Sequence, residues 1–173
     1  MSTPNIIIRP MNENDPIYFS AEECAQGWHS SPDKLNERFQ HEKEGCCIIF
    51  VAEANGVGAG YVSLYHQPAC GPFAGQQIPE IVDFNVLQKF QRQGIGSRLM
   101  DVCEEAASKV CDRICLGVGL HAGYGSAQRM YAKRGYIPDG SGVWYGDHVC
   151  EPYTACENDD DLVLYMSKDL KHD

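Results

Sequence analysis

The sequence predicts a layered α/β domain in which helices cover a mixed β-sheet. Two observations carry this prediction. Short apolar runs typical of strands alternate along the chain with segments of helical periodicity, and the length of 173 residues suits one domain. The composition agrees, because 43% hydrophobic and 22% charged residues is an ordinary globular balance. Residues 1–173 are therefore expected to form a single domain without a repeat or a linker.

The first third of the chain is predicted to contain a strand, two helices and a hairpin. Ser20-Ala21-Glu22-Glu23 has the spacing of a capping box, which indicates the start of a short helix. Ser31-Pro32 indicates the start of another, and Asn55-Gly56 is a strong hairpin signal between two apolar runs. The predicted elements are a strand at 5–9, helices from residues 20 and 31, the second ending at Gly45, and strands at 46–53 and 60–65.

A long amphipathic helix is the clearest element of the remaining chain. Between Gly94 and Val110 the apolar residues recur every three or four positions, which is the period of a helix with one buried face. The apolar run Glu80–Val86 before it indicates a strand. The other predicted elements are a strand at 113–118, a helix at 126–134, a short extended pair at 136–137, an irregular segment at 138–161 and a strand at 162–166.

The charge of the chain excludes some classes of partner. There are 24 acidic and 14 basic side chains, and the formal net charge at pH 7 is −10. A nucleic-acid binder that relies on phosphate contacts needs a positive net charge or a local basic patch. A cationic or amine-bearing substrate, in contrast, is attracted by the negative electrostatic potential of this chain. No apolar stretch is long enough to span a bilayer, and no secretory signal is visible. We therefore expect no nucleic acid, no membrane and a cytoplasmic location.

The nine cysteines contain no CxxC pair of the kind found in zinc and redox motifs. Without a signal peptide they are expected to be reduced thiols. Cys150 and Cys156, together with His148, are compatible with a metal. Thiols scattered through core and loops explain the pattern better, because a free cysteine packs as a small hydrophobe. No metal site is predicted.

The strongest chemical signal is the glycine-containing turn between the predicted strand at 80–86 and the long helix. A helix N-terminus offers unpaired N–H groups and a partial positive charge, which suit phosphate oxygens. Glycine lets the backbone approach an anion closely, and Arg92 and Ser97 add side-chain donors. A Walker loop needs Gly-Lys-Ser/Thr, which the chain lacks. The cofactor-binding residues predicted from this turn are Gln91, Arg92, Gln93, Gly94, Ile95, Gly96 and Ser97.

Two segments of the chain resemble signatures of one superfamily. Gln91-x-x-Gly94-x-Gly96, placed between a strand and a helix, resembles the acyl-CoA signature of the GNAT superfamily of N-acetyltransferases. Ala127–Tyr136 resembles its second signature, Ala-x-x-x-Tyr-x-x-x-Gly-Phe, and the opening strand ending Ile8-Arg9-Pro10 resembles its first strand. The resemblance covers most of the chain except 138–161. One departure is Tyr124, which stands where many relatives carry asparagine. The cofactor contact that this asparagine makes in the superfamily is therefore not assigned to Tyr124.

The resemblance implies a three-layer fold with a mixed, mostly antiparallel sheet, and acetyl-CoA as the co-substrate. It implies that backbone groups of Phe84 and Val86 pair with the pantetheine arm, and that the amides of the turn at 91–97 hold the diphosphate. No metal is implied. Dimers are frequent in the superfamily, so a homodimer is compatible with the resemblance.

Acetyl transfer to an amine requires two proton handlers. An alkylamine, with a pKa of about 10.4 in lysine, is mostly protonated near neutral pH and must lose a proton before it attacks. The resemblance assigns Tyr131 as the acid that protonates the departing thiolate. Two carboxylates on one strand are candidates for the base. Glu80 lies eleven residues before Gln91, at the distance from the acyl-CoA signature at which the histone-acetyltransferase branch of the superfamily carries its catalytic glutamate. Asp83 is the second candidate.

The identity of the base stays open at this stage. Strict alternation places Asp83 and Glu80 on opposite faces of their strand, and a bulge on that strand would change this assignment. Many relatives deprotonate the amine through ordered water instead of a single essential base. Glu80, Asp83 and water are therefore three alternatives.

These observations together predict an acetyl-CoA-dependent N-acetyltransferase that acts on a primary amine of a small molecule, of the polyamine or aminoglycoside type. The alternative is an acyl-CoA-binding sensor or regulatory module without turnover. A third possibility is a dinucleotide oxidoreductase, because Gly117-x-Gly119-x-x-Ala122 mimics a dinucleotide fingerprint. That match comes late in the chain, and no second βαβ half follows it.

Overall fold

The computed structural model describes residues 4–170, which form one mixed sheet of eight strands flanked by four α-helices. The strands are β1 (Ile6–Pro10), β2 (Cys47–Ala54), β3 (Val57–Tyr65), β4 (Glu80–Val86), β5 (Arg113–Gly119), β6 (Ile137–Tyr145), β7 (His148–Val149) and β8 (Leu162–Asp169). The helices are α1 (Asp15–Ala25), α2 (Pro32–Lys43), α3 (Ile95–Ser108) and α4 (Gly125–Lys133).

The strands follow the order β1-β2-β3-β4-β5-β8-β6-β7 across the sheet. The pair β4–β5 is parallel, whereas β1–β2, β2–β3, β5–β8, β6–β8 and β6–β7 are antiparallel. The predicted fold class, a mixed and mostly antiparallel sheet flanked by helices, is therefore confirmed.

The chain forms two compact units, and the boundary between them falls within β4. Among the described residues, the first unit contains 4–65 together with Val82–Glu105, and the second contains His66–Ile81 together with 106–170. The hydrophobic core of the first unit combines side chains from α1, α2 and the hairpin β2–β3. Its fully buried members include Phe19, Leu35, Ile49, Val51 and Tyr61.

Strand β1 is fastened to its surroundings by two arginines. Arg9 forms ion pairs with Asp15 of α1 and Glu53 of β2, each at 2.6 Å, and its Nη1 donates to the Pro10 carbonyl at 2.9 Å. Nη1 of Arg98 donates to the Ile6 carbonyl at 2.7 Å. These bonds connect β1 with the start of α1 and with α3, and they occupy two carbonyls of the strand.

The turn between β2 and β3 has the conformation that its sequence predicts. Asn55 has φ +53° and Gly56 has φ +80°, as a type I′ turn requires at its two central positions. The Asn55 side-chain oxygen also accepts a hydrogen bond from the Asn5 amide at 3.0 Å. The hairpin prediction is therefore confirmed.

The long predicted helix is also present, as α3. Its buried face follows the predicted period, with Ile95, Leu99, Cys103 and Ala107 each at most 1% exposed. The helix ends at Ser108, however, and Val110, the last residue of the predicted apolar face, is 75% exposed. Within residues 4–170 no helix has both the length and the apolar character that crossing a membrane requires.

The second unit has its own hydrophobic cluster, formed by Phe73, Ile78, Cys115 and Tyr165. The Tyr165 ring lies edge-on to Phe73 and Trp144, with centroid separations of 6.4 and 5.6 Å. Strand β7, which lies at this end of the sheet, contains only two residues.

The predicted start of the first helix at residue 20 is wrong. Helix α1 begins at Asp15, with Asn14 as its N-cap and a proline in its first turn. Ser20 and Glu23 lie inside the helix and are 3% and 4% exposed. The capping-box spacing was misleading because a serine and a glutamate three residues apart also occur in the middle of helices. In this helix both side chains are buried and neither caps its N-terminus.

The predicted irregular segment at 138–161 is wrong at its beginning, because residues 137–145 form β6. Pro138, Gly140 and Gly142 are poor strand formers, and the structure accommodates them in a register shift between Pro138 and Val143. Both glycines have φ near +90°. The strand resumes at Val143, which pairs with Leu164 of β8.

Candidate active site

The turn that precedes α3 presents backbone N–H groups at an exposed surface. Arg92 and Gly94 have φ of +60° and +84°, and no atom lies within 4 Å of the position that a side chain at Gly94 would occupy. The Gln91 amide donates to the Gln88 carbonyl at 3.2 Å, and helical bonding begins where the Arg98 amide donates to the Gly94 carbonyl. Within residues 4–170 no backbone acceptor is found for the N–H groups of 92–97.

The side chains of this turn divide into two groups. Nε2 of Gln91 donates to the Val86 carbonyl at 3.1 Å, and Nε2 of Gln93 donates to the Lys89 carbonyl at 3.2 Å. These two bonds fasten the turn to the chain before it. Arg92 and Ser97 are exposed and make no hydrogen bond or ion pair inside the described part of the chain. Their donors are therefore available to an anion.

The resemblance also assigned Phe84 and Val86, and both lie in the part of β4 that precedes the turn. Gly60 of β3 permits a close approach there, because a side chain at Gly60 would lie 2.5 Å from the Asn85 carbonyl oxygen. The Leu87 amide donates to the Ala59 carbonyl at 2.9 Å. These contacts fix the backbone of Phe84–Val86 against β3.

Asp83 interrupts the regular conformation of β4. Its φ is +50°, so the strict alternation assumed from the sequence does not hold at this residue. Its carboxylate is 10% exposed and forms ion pairs with Lys34 Nζ at 2.6 Å and Arg38 Nε at 2.7 Å, both from α2. Burial alone would raise the pKa of Asp83, but these two cations outweigh it and hold the pKa below its usual value. A carboxylate stabilised in this way is a weak proton acceptor.

A buried hydrogen-bond network next to Asp83 was missed by the sequence analysis. The Glu23 carboxylate accepts hydrogen bonds from Tyr61 at 2.7 Å, Ser30 at 2.5 Å and Asn85 at 3.1 Å, and Asn85 also donates to the Tyr61 hydroxyl at 2.8 Å. The network connects α1, β3 and β4. Its only sequence signal was an acidic residue on the apolar side of a helix.

Glu80, at the start of β4, has surroundings unlike those of Asp83. It pairs in register with Cys115 of β5 and is partly buried, and burial raises its pKa to about 7. No hydrogen bond or ion pair of its carboxylate is found within residues 4–170. A carboxylate with a pKa near neutrality suits a general base.

Tyr131, the predicted acid, lies on α4 in the same unit as Glu80. Its side chain is 5% exposed, and its ring centroid lies 5.8 Å from that of Tyr136 at an interplanar angle of 57°. The Tyr136 amide donates to the Tyr131 carbonyl at 3.1 Å and fixes the end of the helix. Packing therefore holds the phenol in one orientation.

His121 and Tyr124 share a carboxylate partner in the second unit. Nε2 of His121 lies 3.0 Å from Asp160 Oδ1, which also accepts a hydrogen bond from the Tyr124 hydroxyl at 2.8 Å. The glycines of the dinucleotide-like match, Gly117 and Gly119, lie against the rings of Tyr165 and Tyr124, which a side chain at either position would meet within 3.2 Å. Among residues 4–170 no group of three or more His, Cys, Asp or Glu side chains is arranged to hold a metal ion.

The sequence matches a profile of the acetyltransferase (GNAT) family over residues 12–136. No curated protein sequence matches it significantly.

The fold is similar to several solved structures. A spermidine/spermine N-acetyltransferase, SpeG from Vibrio cholerae, has a TM-score of 0.65 and 16% identity, covering 95% of this chain and 94% of its own. A ribosomal-protein-alanine N-acetyltransferase from Brucella melitensis has a TM-score of 0.68 and 18% identity, covering 95% and 99%. The protein yncA from Salmonella typhimurium, solved with its cofactor acetyl-CoA, has a TM-score of 0.68 and 15% identity, covering 97% and 95%.

Proposed function

Because the chain belongs to the acetyltransferase (GNAT) family, we propose that it transfers an acetyl group from acetyl-CoA to a primary amine of a small molecule. The observation that carries this proposal is the exposed turn at 91–97. Within the described residues its N–H groups have no backbone acceptor and the Arg92 guanidinium has no partner, and together with the open space at Gly94 these donors fit a diphosphate. The Salmonella typhimurium structure supports the choice of acetyl-CoA, since it is described with that cofactor.

The binding roles follow from the chemistry of each group. The N–H groups of residues 92–97 would bind diphosphate oxygens, with further donors from Arg92 and Ser97. The Gln91 side chain is engaged with Val86, so it would act by holding the turn in place. Backbone groups of Phe84 and Val86 would pair with the pantetheine arm, and the Val86 carbonyl would do so beside its hydrogen bond from Gln91. When bound, acetyl-CoA supplies the acetyl group as a reactive thioester.

The base is assigned to Glu80 rather than Asp83. Its carboxyl is partly ionised near neutral pH and has no ion pair within residues 4–170, so it is able to take a proton from an ammonium, directly or through water. Asp83 is held in ion pairs with Lys34 and Arg38. We therefore assign Asp83 a positioning role. Its ion pairs hold α2 against β4 at the point where the strand adopts a left-handed conformation.

The Tyr131 hydroxyl is assigned as the acid that donates a proton to the departing sulfur. A phenol, with an ordinary pKa of about 10, keeps its proton at neutral pH and is able to share it with the sulfur while the C–S bond breaks and negative charge develops there. Packing against Tyr136 supports this role, because it orients the hydroxyl before the reaction.

The proposed acceptor is a small cationic amine. The net charge of −10 attracts cations, and the Vibrio cholerae enzyme that shares the fold is a spermidine/spermine N-acetyltransferase. The Brucella melitensis enzyme is described as acting on a ribosomal-protein alanine, so an N-terminal peptide is the competing acceptor that an experiment must include.

A panel of amines tests the proposed function directly. The full chain is incubated with acetyl-CoA and polyamines, aminoglycosides or peptides beginning with alanine, and acetylated products are measured by mass spectrometry. Free coenzyme A is measured against a blank without acceptor, because the chain has nine cysteines of its own. We expect acetylation of at least one small amine. Acetylation of peptides alone would contradict the acceptor class, and binding without any transfer would indicate a sensor.

Tyr131→Phe is expected to lower kcat by about 10²- to 10⁴-fold, the range for loss of a positioned acid. The KM for acetyl-CoA should change little, because phenylalanine keeps the packing against Tyr136. Steady-state kinetics on the best amine of the panel measures both constants. An unchanged kcat would show that Tyr131 is only a packing residue.

A further inference from the structure

A buried ring of hydrogen bonds holds the part of β4 to which the pantetheine arm is assigned. Nδ2 of Asn85 donates to the Tyr61 hydroxyl at 2.8 Å and to Oε1 of Glu23 at 3.1 Å, and the Tyr61 hydroxyl donates to the same Oε1 at 2.7 Å. The three side chains come from three elements, α1, β3 and β4. Because Asn85 lies between Phe84 and Val86, the ring fixes the middle residue of this part of the strand.

The ring contains more polar chemistry than packing requires. Glu23 and Tyr61 are 4% and 2% exposed, and no ion pair of Glu23 is found within residues 4–170. Hydrogen bonds therefore have to offset the cost of burying this carboxylate, whereas an apolar side chain would fill the space without that cost. What the carboxylate adds is direction, because a fully bonded polar network makes the groups that it joins rigid.

The residues on either side of Phe84 are thus both anchored to helices. Asp83, the left-handed residue, is held by its ion pairs with α2, and Asn85 is held to α1 through Glu23. In the described part of the chain, the pairing of β4 with β5 covers residues 80–81. The conformation of the strand beyond them therefore depends on β3 and on these side-chain contacts.

We propose that Glu23 is a positioning residue for acetyl-CoA. Acting through Asn85, its carboxylate holds the backbone of residues 84–86 in the conformation that pairs with the pantetheine arm, and it does not touch the cofactor itself. The inference rests on the proposed function, because it requires the pantetheine arm at these residues. It concerns that arm alone. The nucleotide part of the cofactor, whose diphosphate is assigned to the turn at 91–97, should bind independently of Glu23.

A fragment of the cofactor separates this role from a general loss of structure. Isothermal titration calorimetry measures the dissociation constants of acetyl-CoA and of 3′-phospho-ADP, the part of coenzyme A that lacks the pantetheine arm. Glu23→Leu keeps the side-chain volume but offers no acceptor, so we expect acetyl-CoA to bind at least about tenfold more weakly. The dissociation constant of 3′-phospho-ADP should change by less than about twofold.

Glu23→Gln is the conservative variant that should rescue binding. Its amide oxygen is able to accept from Tyr61 and Asn85, as Oε1 of Glu23 does, while its NH₂ group donates to the Ser30 hydroxyl. Acetyl-CoA should therefore bind within about threefold of the unmodified chain.

A second position shows whether Glu23 acts through Asn85. Asn85→Ala removes the donor on β4 and should weaken acetyl-CoA binding as much as Glu23→Leu does, and the double variant should lose little more than either alone. Asn85→Ala also provides the test if Glu23→Leu does not fold. Tyr18→Phe is the matched control, because it removes a different bond between α1 and β3, from the Tyr18 hydroxyl to the Gly58 carbonyl at 2.8 Å. Its acetyl-CoA affinity should equal that of the unmodified chain.

The outcomes distinguish this inference from the proposed function. If Glu23→Leu and Asn85→Ala weaken the binding of acetyl-CoA and 3′-phospho-ADP equally, the ring only stabilises the fold and the inference is overturned. Unchanged acetyl-CoA binding in both variants would overturn it as well. In either case the unmodified chain still binds acetyl-CoA, so the proposed function stands. If the unmodified chain binds neither ligand, the proposed function fails and the inference fails with it.

Discussion

Gly94→Glu is expected to weaken acetyl-CoA binding by about 100-fold or more. Gly94 has φ +84°, so a glutamate there adopts a left-handed conformation that costs about 1–2 kcal/mol. Its carboxylate enters the open space beside the N–H groups of 92–97, where it repels a diphosphate and competes for the same donors. Isothermal titration calorimetry with acetyl-CoA measures the effect.

Two further glycine variants separate strain from charge. Gly94→Ala imposes the left-handed strain without a charge and should weaken binding far less. Gly75→Glu imposes similar strain and the same charge elsewhere, because Gly75 has φ +75° and no atom within 4 Å of its side-chain position. Its acetyl-CoA affinity should match that of the unmodified chain. If Gly94→Glu still binds normally, the diphosphate lies somewhere other than this turn.

Glu80→Gln is expected to lower kcat by about 10²- to 10⁴-fold and to remove the rise of activity around pH 7. The carboxyl accepts a proton only when it is ionised, and its pKa is raised to about 7. Activity of the unmodified enzyme should therefore increase as the pH rises through 7 and level off above it. Glutamine does not ionise, so its residual activity should lack this transition. Profiles of kcat/KM against pH compare the two proteins.

The stability of Glu80→Gln shows whether a loss of activity could come from unfolding of the variant. The folded state holds the Glu80 proton up to a pH of about 7, whereas an unfolded glutamate loses it at about 4.3. Between these values the folded state binds more protons, so Glu80 makes the free energy of unfolding decrease as the pH rises. Above pH 7 the glutamine variant should therefore be at least as stable as the unmodified chain.

Asp83→Asn is the matched control on the same strand. It leaves Lys34 and Arg38 without their carboxylate, so the melting temperature should fall, but the activity that remains should keep its transition near pH 7. The reverse result, in which Asp83→Asn loses the transition and Glu80→Gln keeps it, would assign the base to Asp83.

The elements that could be predicted from the sequence are those decided by local chemistry. Asn55-Gly56 indicates a type I′ turn because both residues tolerate positive φ, and the hairpin is there. The apolar period of α3 and the glycine at its start depend on neighbours within a few residues. The turn at 91–97 could be located for the same reason, whereas its binding of a diphosphate stays a prediction.

Features that depend on distant residues could not be predicted. The pKa of Glu80 is raised by burial, which only the folded chain creates. The bonds of Glu23 join residues up to 62 positions apart, and the ion pairs of Asp83 reach back to α2. Strand β6 escaped prediction because its pairing with β8 overrides the local preferences of two glycines and a proline.

The two end strands of the sheet make it a poor template for strand addition by another molecule. An unprotected outer strand invites intermolecular pairing and aggregation through its spare backbone groups. At one end, the Ile6 and Pro10 carbonyls of β1 already accept bonds from Arg98 and Arg9, and Pro10 has no N–H to offer. At the other end, β7 is two residues long. Self-association of this protein is therefore expected to use side-chain surfaces rather than a continuous intermolecular sheet.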